Sequence, residues 1–211
     1  MLCLGIDLSS SSKRASTLAF INGEGRLDQM DAFKEYQELL SVLDSYRPDV
    51  VAIGAPLGLP LGLDCLEEDC PCTPVNNHKG RKGEVELARM GIGCFYTGKR
   101  SIIKNQIYRG VKFRKDLTQR GYEVIEVYPY ATKIKVFGDG IPPKSRPESL
   151  VHLREHLPKL VPGTECYADE LNHDKCDAVL TAYTGYLHLR GETDTLGIPE
   201  EWMISIPRLQ R

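Results

Sequence analysis

Residues 2–8, LCLGIDL, are a short apolar run that ends in an acid, and a second apolar run, Ser16–Asn22, follows a serine-rich turn at residues 9–12. The pattern predicts strand, turn and strand. Asp31 is placed to cap a helix whose apolar positions Phe33, Tyr36, Leu40 and Leu43 keep helical spacing up to Arg47-Pro48, where proline stops it. A further strand is expected over Asp49–Ala55, a short helix over Glu84–Met90, a longer one over Ile102–Arg120 and a strand over Tyr122–Tyr128, closed by Pro129. Beyond these, Ser149–Leu157 and Asp174–Arg190 have helical spacing, and Trp202–Pro207 is a terminal extended piece. An antiparallel ribbon followed by a helix and a strand favours an α/β sheet, with function at the C-terminal strand ends. Residues 56–98 are rich in Gly, Pro and Cys, and a stretch so irregular suits a functional cap inserted in a single domain over 1–211.

With 41% hydrophobic and 27% charged residues the chain can bury one sizeable core. Its longest uncharged stretch, residues 50–63, is broken by glycines and prolines and is too short to span a bilayer, so no membrane association is expected. MLCLGIDLSS carries Asp7 within its apolar run and no basic leader, unlike a secretory signal. Seven cysteines, an odd number, suit reduced thiols better than a disulfide framework. Cytoplasmic localisation is the expectation. A net charge of −2 carries no global nucleic-acid signal, so the distribution of charge matters more.

Four acids stand where sheet geometry can bring them together: Asp7, Glu126, Asp174 and Asp177. Asp7 and Glu126 each interrupt a run of apolar strand residues, and a buried carboxylate needs a partner or a metal. At 100° per residue Asp174 and Asp177 share a helix face about 80° wide with Thr181, Thr184 and His188. The competing explanations are ordinary: Asp7 capping the serine turn, Glu126 facing outward, and the aspartate pair favoured by the helix dipole.

Gly5-Ile6-Asp7, APLGLP at 55–60, ELAR at 86–89, GYEVIEVYPYATK at 121–133 and HDKCDAVLTAYTG at 173–185 resemble, in order, the motifs of the domain of unknown function 429 family, predicted nucleases of ribonuclease H-like fold. The resemblance spans nearly the whole chain, and the Asp-x-x-Asp-Ala start at Asp174 is also similar to Holliday-junction resolvases of that superfamily. It implies a three-layer ribonuclease H-like α/β domain with a mixed central sheet, here with the cysteine-containing cap. It further implies that Asp7, Glu126, Asp174 and Asp177 hold one or two Mg²⁺ or Mn²⁺ ions that activate water for phosphodiester hydrolysis. One departure stands out. Where the family often has an acid, in a segment written IDAP, this chain has Ile53-Gly54-Ala55-Pro56. Glu126 is the candidate to supply the missing charge.

From Lys99 to Arg120 eight basic residues, among them Lys104, Arg109, Lys112 and Lys115, face the single acid Asp116. Such a surface can track RNA or DNA phosphates, or it can be a solvated helix face. Tyr96, Tyr108 and Phe113 are interleaved as stacking or core residues. Cys65, Cys70 and Cys72, with His78 or Cys94 as a fourth, form a possible zinc or iron-sulfur ligand set, although the spacing fits neither pattern and thiols without metal are favoured. His173, beside Asp174, is a possible proton-transfer group.

The expected function is metal-dependent cleavage of nucleic acid. One alternative is a non-catalytic nucleic-acid-binding module with a degenerate metal site. The other is a phosphotransferase of the actin and sugar-kinase type, suggested by Gly5-Ile6-Asp7 and the serines leading to Lys13, although that architecture needs roughly twice this length.

Overall fold

The computed structural model describes residues 1–11, 13–75 and 79–208. Seven strands form one mixed sheet in the order β3-β2-β1-β4-β5-β7-β6. The strands β1 (Leu2–Asp7), β2 (Ser16–Asn22) and β3 (Leu27–Phe33) make an antiparallel meander. Strands β4 (Val50–Ile53), β5 (Val124–Val127) and β7 (Ile204–Pro207) then run parallel to β1, and β6 (Thr193–Leu196) returns antiparallel on β7. Val50–Ile53 is buried throughout, as a parallel strand covered on both faces must be.

Helices cover both faces. Helix α1 (Tyr36–Tyr46) and helix α3 (Lys104–Gln119) lie on one, with Leu39, Leu43, Phe113 and Leu117 packed on Leu4, Ile6, Ile53 and Val124. On the other, α5 (Pro147–Leu160) and α6 (His173–Leu189) pack Leu153, Leu157, Ala178 and Ala182 on Ala19, Ile21 and Met30, and α4 (Pro129–Phe137) bonds to α6 through Thr132 and Thr184. The result is a three-layer α/β arrangement. Among the described residues no helix is long and apolar enough to cross a membrane.

The long segment between β4 and α3, here called the insertion, contains α2 (Lys82–Arg89). It is fastened to the last strand connection: Glu201 accepts from the amides of Leu61 and Lys82 at 2.9 and 2.6 Å, and Leu87 is buried with Ile204 and Ile206.

Three elements differ from expectation. Leu27–Phe33 is a strand, and Asp31 lies on it instead of capping a helix. The helix begins later, where Glu35 and Glu38 form a reciprocal capping box. β3 is a sheet edge whose buried residues Leu27 and Met30 face α5 and α6 while Phe33 faces α1 and α3, and with the register shift opposite Phe20/Ile21 they keep no two-residue alternation, so the segment looks like a polar linker. Pro129 closes the strand and also starts α4, since proline suits the first helical turn. β6 is short and half exposed and carried no apolar signal.

Candidate functional site

A cleft of about 320 Å³ opens at the C-terminal ends of β1, β4 and β5, between the insertion and the first turns of α4 and α6. Its lining includes Asp7, Gly54, Tyr128, Lys133, His173 and Asp177.

The placement of Asp7 begins with Gly5. A Cβ at Gly5 would lie 2.2 Å from the Ala182 amide nitrogen and 2.6 Å from the Ala178 carbonyl oxygen, so only glycine lets α6 lie this close to β1. Asp7, two residues on, points to the same face, where the N-terminal turns of α6 present Asp174 and Asp177. Asn172 caps that helix through a 2.8 Å bond from the Lys175 amide.

Three of the four expected acids therefore lie on one side of the cleft, near enough to repel one another, although their carboxylate oxygens do not all come within 4.8 Å. Burial, followed by repulsion from Asp177 and Asp174, pushes the Asp7 pKa up to about 8. Among the described residues no hydrogen bond reaches its carboxylate. Burial also raises the Asp177 pKa, against the pull of Lys144. The Lys144 ammonium, on the loop between α4 and α5, lies 2.7 Å from Asp177 Oδ2 and 3.9 Å from Asp174 Oδ1, while Arg14 Nη2 is 3.8 Å from Asp174 Oδ2. A cation thus already bridges two of the acids.

Glu126 lines the same cleft, beside Arg81 and Glu84, but does not join the aspartates. Counting along the register, Ile6, Ile53 and Glu126 are aligned, so Glu126 points to the α3 face and Asp7 to the α6 face. Both Glu126 oxygens are taken: Arg81 Nη1 and Nη2 donate at 2.7 and 2.5 Å, and the Leu57 amide donates at 2.7 Å. Arg81 is 1% exposed and also donates from Nε to Glu84 at 3.0 Å, while Glu84 accepts from the Thr97 amide and hydroxyl. Burial alone would lower the Arg81 pKa, but Glu126 and then Glu84 outweigh it and the guanidinium stays charged. A buried, bidentate and fully satisfied pair of this kind fastens the insertion to β5. Glu126 is a structural acid, and the expectation that it ligates metal is corrected.

Gly54 has a packing explanation as well. A Cβ there would meet Pro129 Cγ and Thr181 Oγ1, each at 3.1 Å, so the face that bears Asp7 is filled at this strand end by α4 and α6. Glu126, on the other face, supplies no replacement charge.

Two cationic residues of the cleft gave no usable sequence signal. Lys133 is 4% exposed, its Nζ donates to Ser149 Oγ at 3.1 Å, and burial lowers its pKa. Within PYATK its helical position follows from Pro129, but its direction does not. Lys144 sits in a loop with no periodicity to read. His173 also has its pKa lowered, by burial and then by Lys144, which keeps it neutral near pH 7.

The basic helix divides in two. Lys104, Lys112 and Lys115 fall on one side of α3 within about 80°, with Lys112 and Lys115 exposed and Lys104 half-buried. Arg109 is turned inward and donates to the Ser9 carbonyl and, at 2.8 Å, to the Ser9 hydroxyl. It braces the β1–β2 turn, which corrects its assignment to the phosphate-tracking set. That same hydroxyl donates to the carbonyls of Ser11 and Arg14, while Ser12 lies outside the described residues. Phe113 is core, whereas Tyr108 accepts from the Leu66 amide at 2.7 Å.

Cys65, Cys70 and Cys72 place their sulfurs within 4.8 Å of one another. Cys94 is not with them. It lines the cleft, its thiol donates to the Glu84 carbonyl, and burial pushes its pKa up to about 11. His78 lies outside the described residues.

Fold and site together define a three-layer α/β protein with an acidic cleft at the ends of its parallel strands. Residues 5–201 match the family described as "Protein of unknown function (DUF429)", and the chain belongs to that family. No curated protein and no solved structure matches it significantly.

Proposed function

We propose that the protein is a divalent-metal-dependent nuclease of ribonuclease H-like type, in which Asp7, Asp174 and Asp177 hold the ion. The carrying observation is the carboxylate of Asp7, half-buried, without a hydrogen-bond donor among the described residues, and faced by two more acids. Hard oxygen donors converging from a strand end and a helix start suit Mg²⁺ or Mn²⁺, and the Lys144 ammonium marks where positive charge is favoured. A bound ion would lower the pKa of its water and offset charge on the phosphodiester.

The remaining groups of the cleft fit the same chemistry. Lys133 and Lys144 offer positive charge to a phosphate, and neutral His173 can accept a proton. Phe95 and Tyr130 line the cleft and are 57% and 44% exposed, as aromatic side chains that stack on unpaired bases would be. The cleft is wide enough for about one nucleotide, which favours a single-stranded or unpaired substrate.

A panel of RNA, DNA and branched substrates, with Mn²⁺ and with chelator, supplies the test. Asp177→Asn is expected to abolish Mn²⁺-dependent cleavage with the fold intact, because the amide keeps the shape and removes the charge. Cleavage near the wild-type rate by this variant would overturn the proposal. The non-catalytic module would bind the same substrates without cutting them.

Binding has its own signature. Lys112→Ala with Lys115→Ala is expected to weaken binding on every sequence and to flatten its salt dependence by roughly one unit per lost phosphate contact. An unchanged salt slope in filter-binding titrations would make that side of α3 a solvated surface.

A further inference from the structure

The insertion holds a second group of donors, chemically distinct from the acids of the cleft. The segment DCLEEDCPC, residues 64–72, has no helix or strand, four acids and no basic residue. Leu66 is fully buried against Ile107 of α3, and its amide donates to Tyr108 at 2.7 Å, which anchors the segment at one point. Around that anchor Asp64, Glu67, Glu68 and Asp69 are exposed, whereas all three cysteines are half-buried and turned together. Cys70 and Cys72 bring their sulfurs to 3.2 Å, and all three sulfurs lie within 4.8 Å of each other.

We propose that Cys65, Cys70 and Cys72 form a thiolate site for one zinc-class divalent cation. With Zn–S bonds of about 2.3 Å a tetrahedral centre separates its sulfurs by roughly 3.8 Å, so the three sulfurs reach three corners of the tetrahedron by small side-chain rotations. The donor type excludes the hard ions suited to the aspartates, and three cysteines fall short of the four that an iron-sulfur cluster takes. Each Zn–S bond forms as a thiol gives its proton to solvent, with no change of oxidation state. Four neighbouring acids favour the incoming cation, and Lys99, whose Nζ donates to the Cys70 carbonyl, holds the loop beside the start of α3. The ion would staple a segment that backbone hydrogen bonds barely hold, which is the usual gain from a structural metal. The pattern of spacings favoured free thiols; the convergence of all three sulfurs points the other way.

The full chain, reduced and stripped with chelator, should be titrated with Co²⁺ and then Zn²⁺. A thiolate-to-cobalt charge-transfer band saturating at about one equivalent and bleached by Zn²⁺ is expected. Cobalt on the aspartates gives no such band, so the result is independent of the nuclease proposal. The double variant Cys70→Ser, Cys72→Ser should lose the band, while Cys166→Ser, at an exposed cysteine far along the chain, keeps it. If the double variant fails to fold, alkylation of the wild type decides: Zn²⁺ should slow iodoacetamide modification of Cys65, Cys70 and Cys72 at least tenfold and leave Cys166 unchanged. Absence of both the band and the protection in the folded, reduced wild type would overturn the proposal, as would a band retained by the double variant.

Discussion

In the metal-free protein Asp7→Asn is expected to melt about 4–8 °C above the wild type at pH 8 and level with it near pH 4. Burial, then Asp177 and Asp174, push the Asp7 pKa up to about 8, against about 3.9 in an unfolded chain. Between those values the folded state keeps a proton that the unfolded state has lost, so stability falls as pH rises through the window. Near pH 4 the unfolded carboxylate is about half protonated and the penalty is small, and below that it vanishes. Each tenfold difference in proton affinity between the two states corresponds to about 1.4 kcal/mol. Discounting for partial solvent access leaves about 2 kcal/mol, or about 4–8 °C at this chain length. Saturating Mn²⁺ should reverse the order, since ligand at a hundred times Kd adds about 2.7 kcal/mol to the wild type and nothing to the variant. Melting curves at pH 4, 6 and 8, with chelator and with Mn²⁺, test both halves. A variant that melts below the wild type at pH 8 in chelator would make Asp7 a paired structural acid.

The second large effect belongs to Arg81. Arg81→Met leaves the Glu126 charge buried with the Leu57 amide as its one remaining hydrogen-bond donor among the described residues, and Glu84 loses the same partner. Breaking a buried pair from one side costs about 3–5 kcal/mol, a fall of roughly 10 °C in melting temperature. Adding Glu126→Leu to Arg81→Met should recover part of the loss, because the apolar pair no longer strands a charge. Urea unfolding of the single and double variants measures the coupling. Mn²⁺ affinity should be unchanged in Glu126→Gln wherever that variant remains folded. A loss of Mn²⁺ affinity at unchanged stability would return Glu126 to the metal site.

Such outcomes separate two acids that look alike along the chain. Asp7 and Glu126 both interrupt apolar strands, Asp7 half-buried and Glu126 fully so. What divides them is parity within the sheet: Glu126 is aligned with Ile53 and Ile6, and Asp7 lies one residue beyond that row. A single position reverses the face, and the face decides whether an acid meets α6 or Arg81.

By itself the sequence determined the elements whose periodicity is strong. Ser16–Asn22 is the expected strand to the residue, and helices α3 and α6 begin and end within two residues of their apolar pattern. It also determined that Asp174 and Asp177 share a helix face, because 3.6 residues per turn is a local property. The edge strands β3 and β6 were not legible, since a strand whose few buried residues break the two-residue alternation, or one half exposed, looks much like a polar linker. Only tertiary structure decided the site. The close approach of α6 at Gly5 brings together acids about 170 positions apart in the chain, and Lys144 arrives from a loop without any pattern. Arg81 captures Glu126 from the insertion across 45 residues, and Cys94 leaves its sequence neighbours for the cleft while three other cysteines converge. Local spacing fixes which side of its own element a residue occupies. Which partner waits on that side is set by strand order and by how closely the layers pack, and neither is written in any one segment.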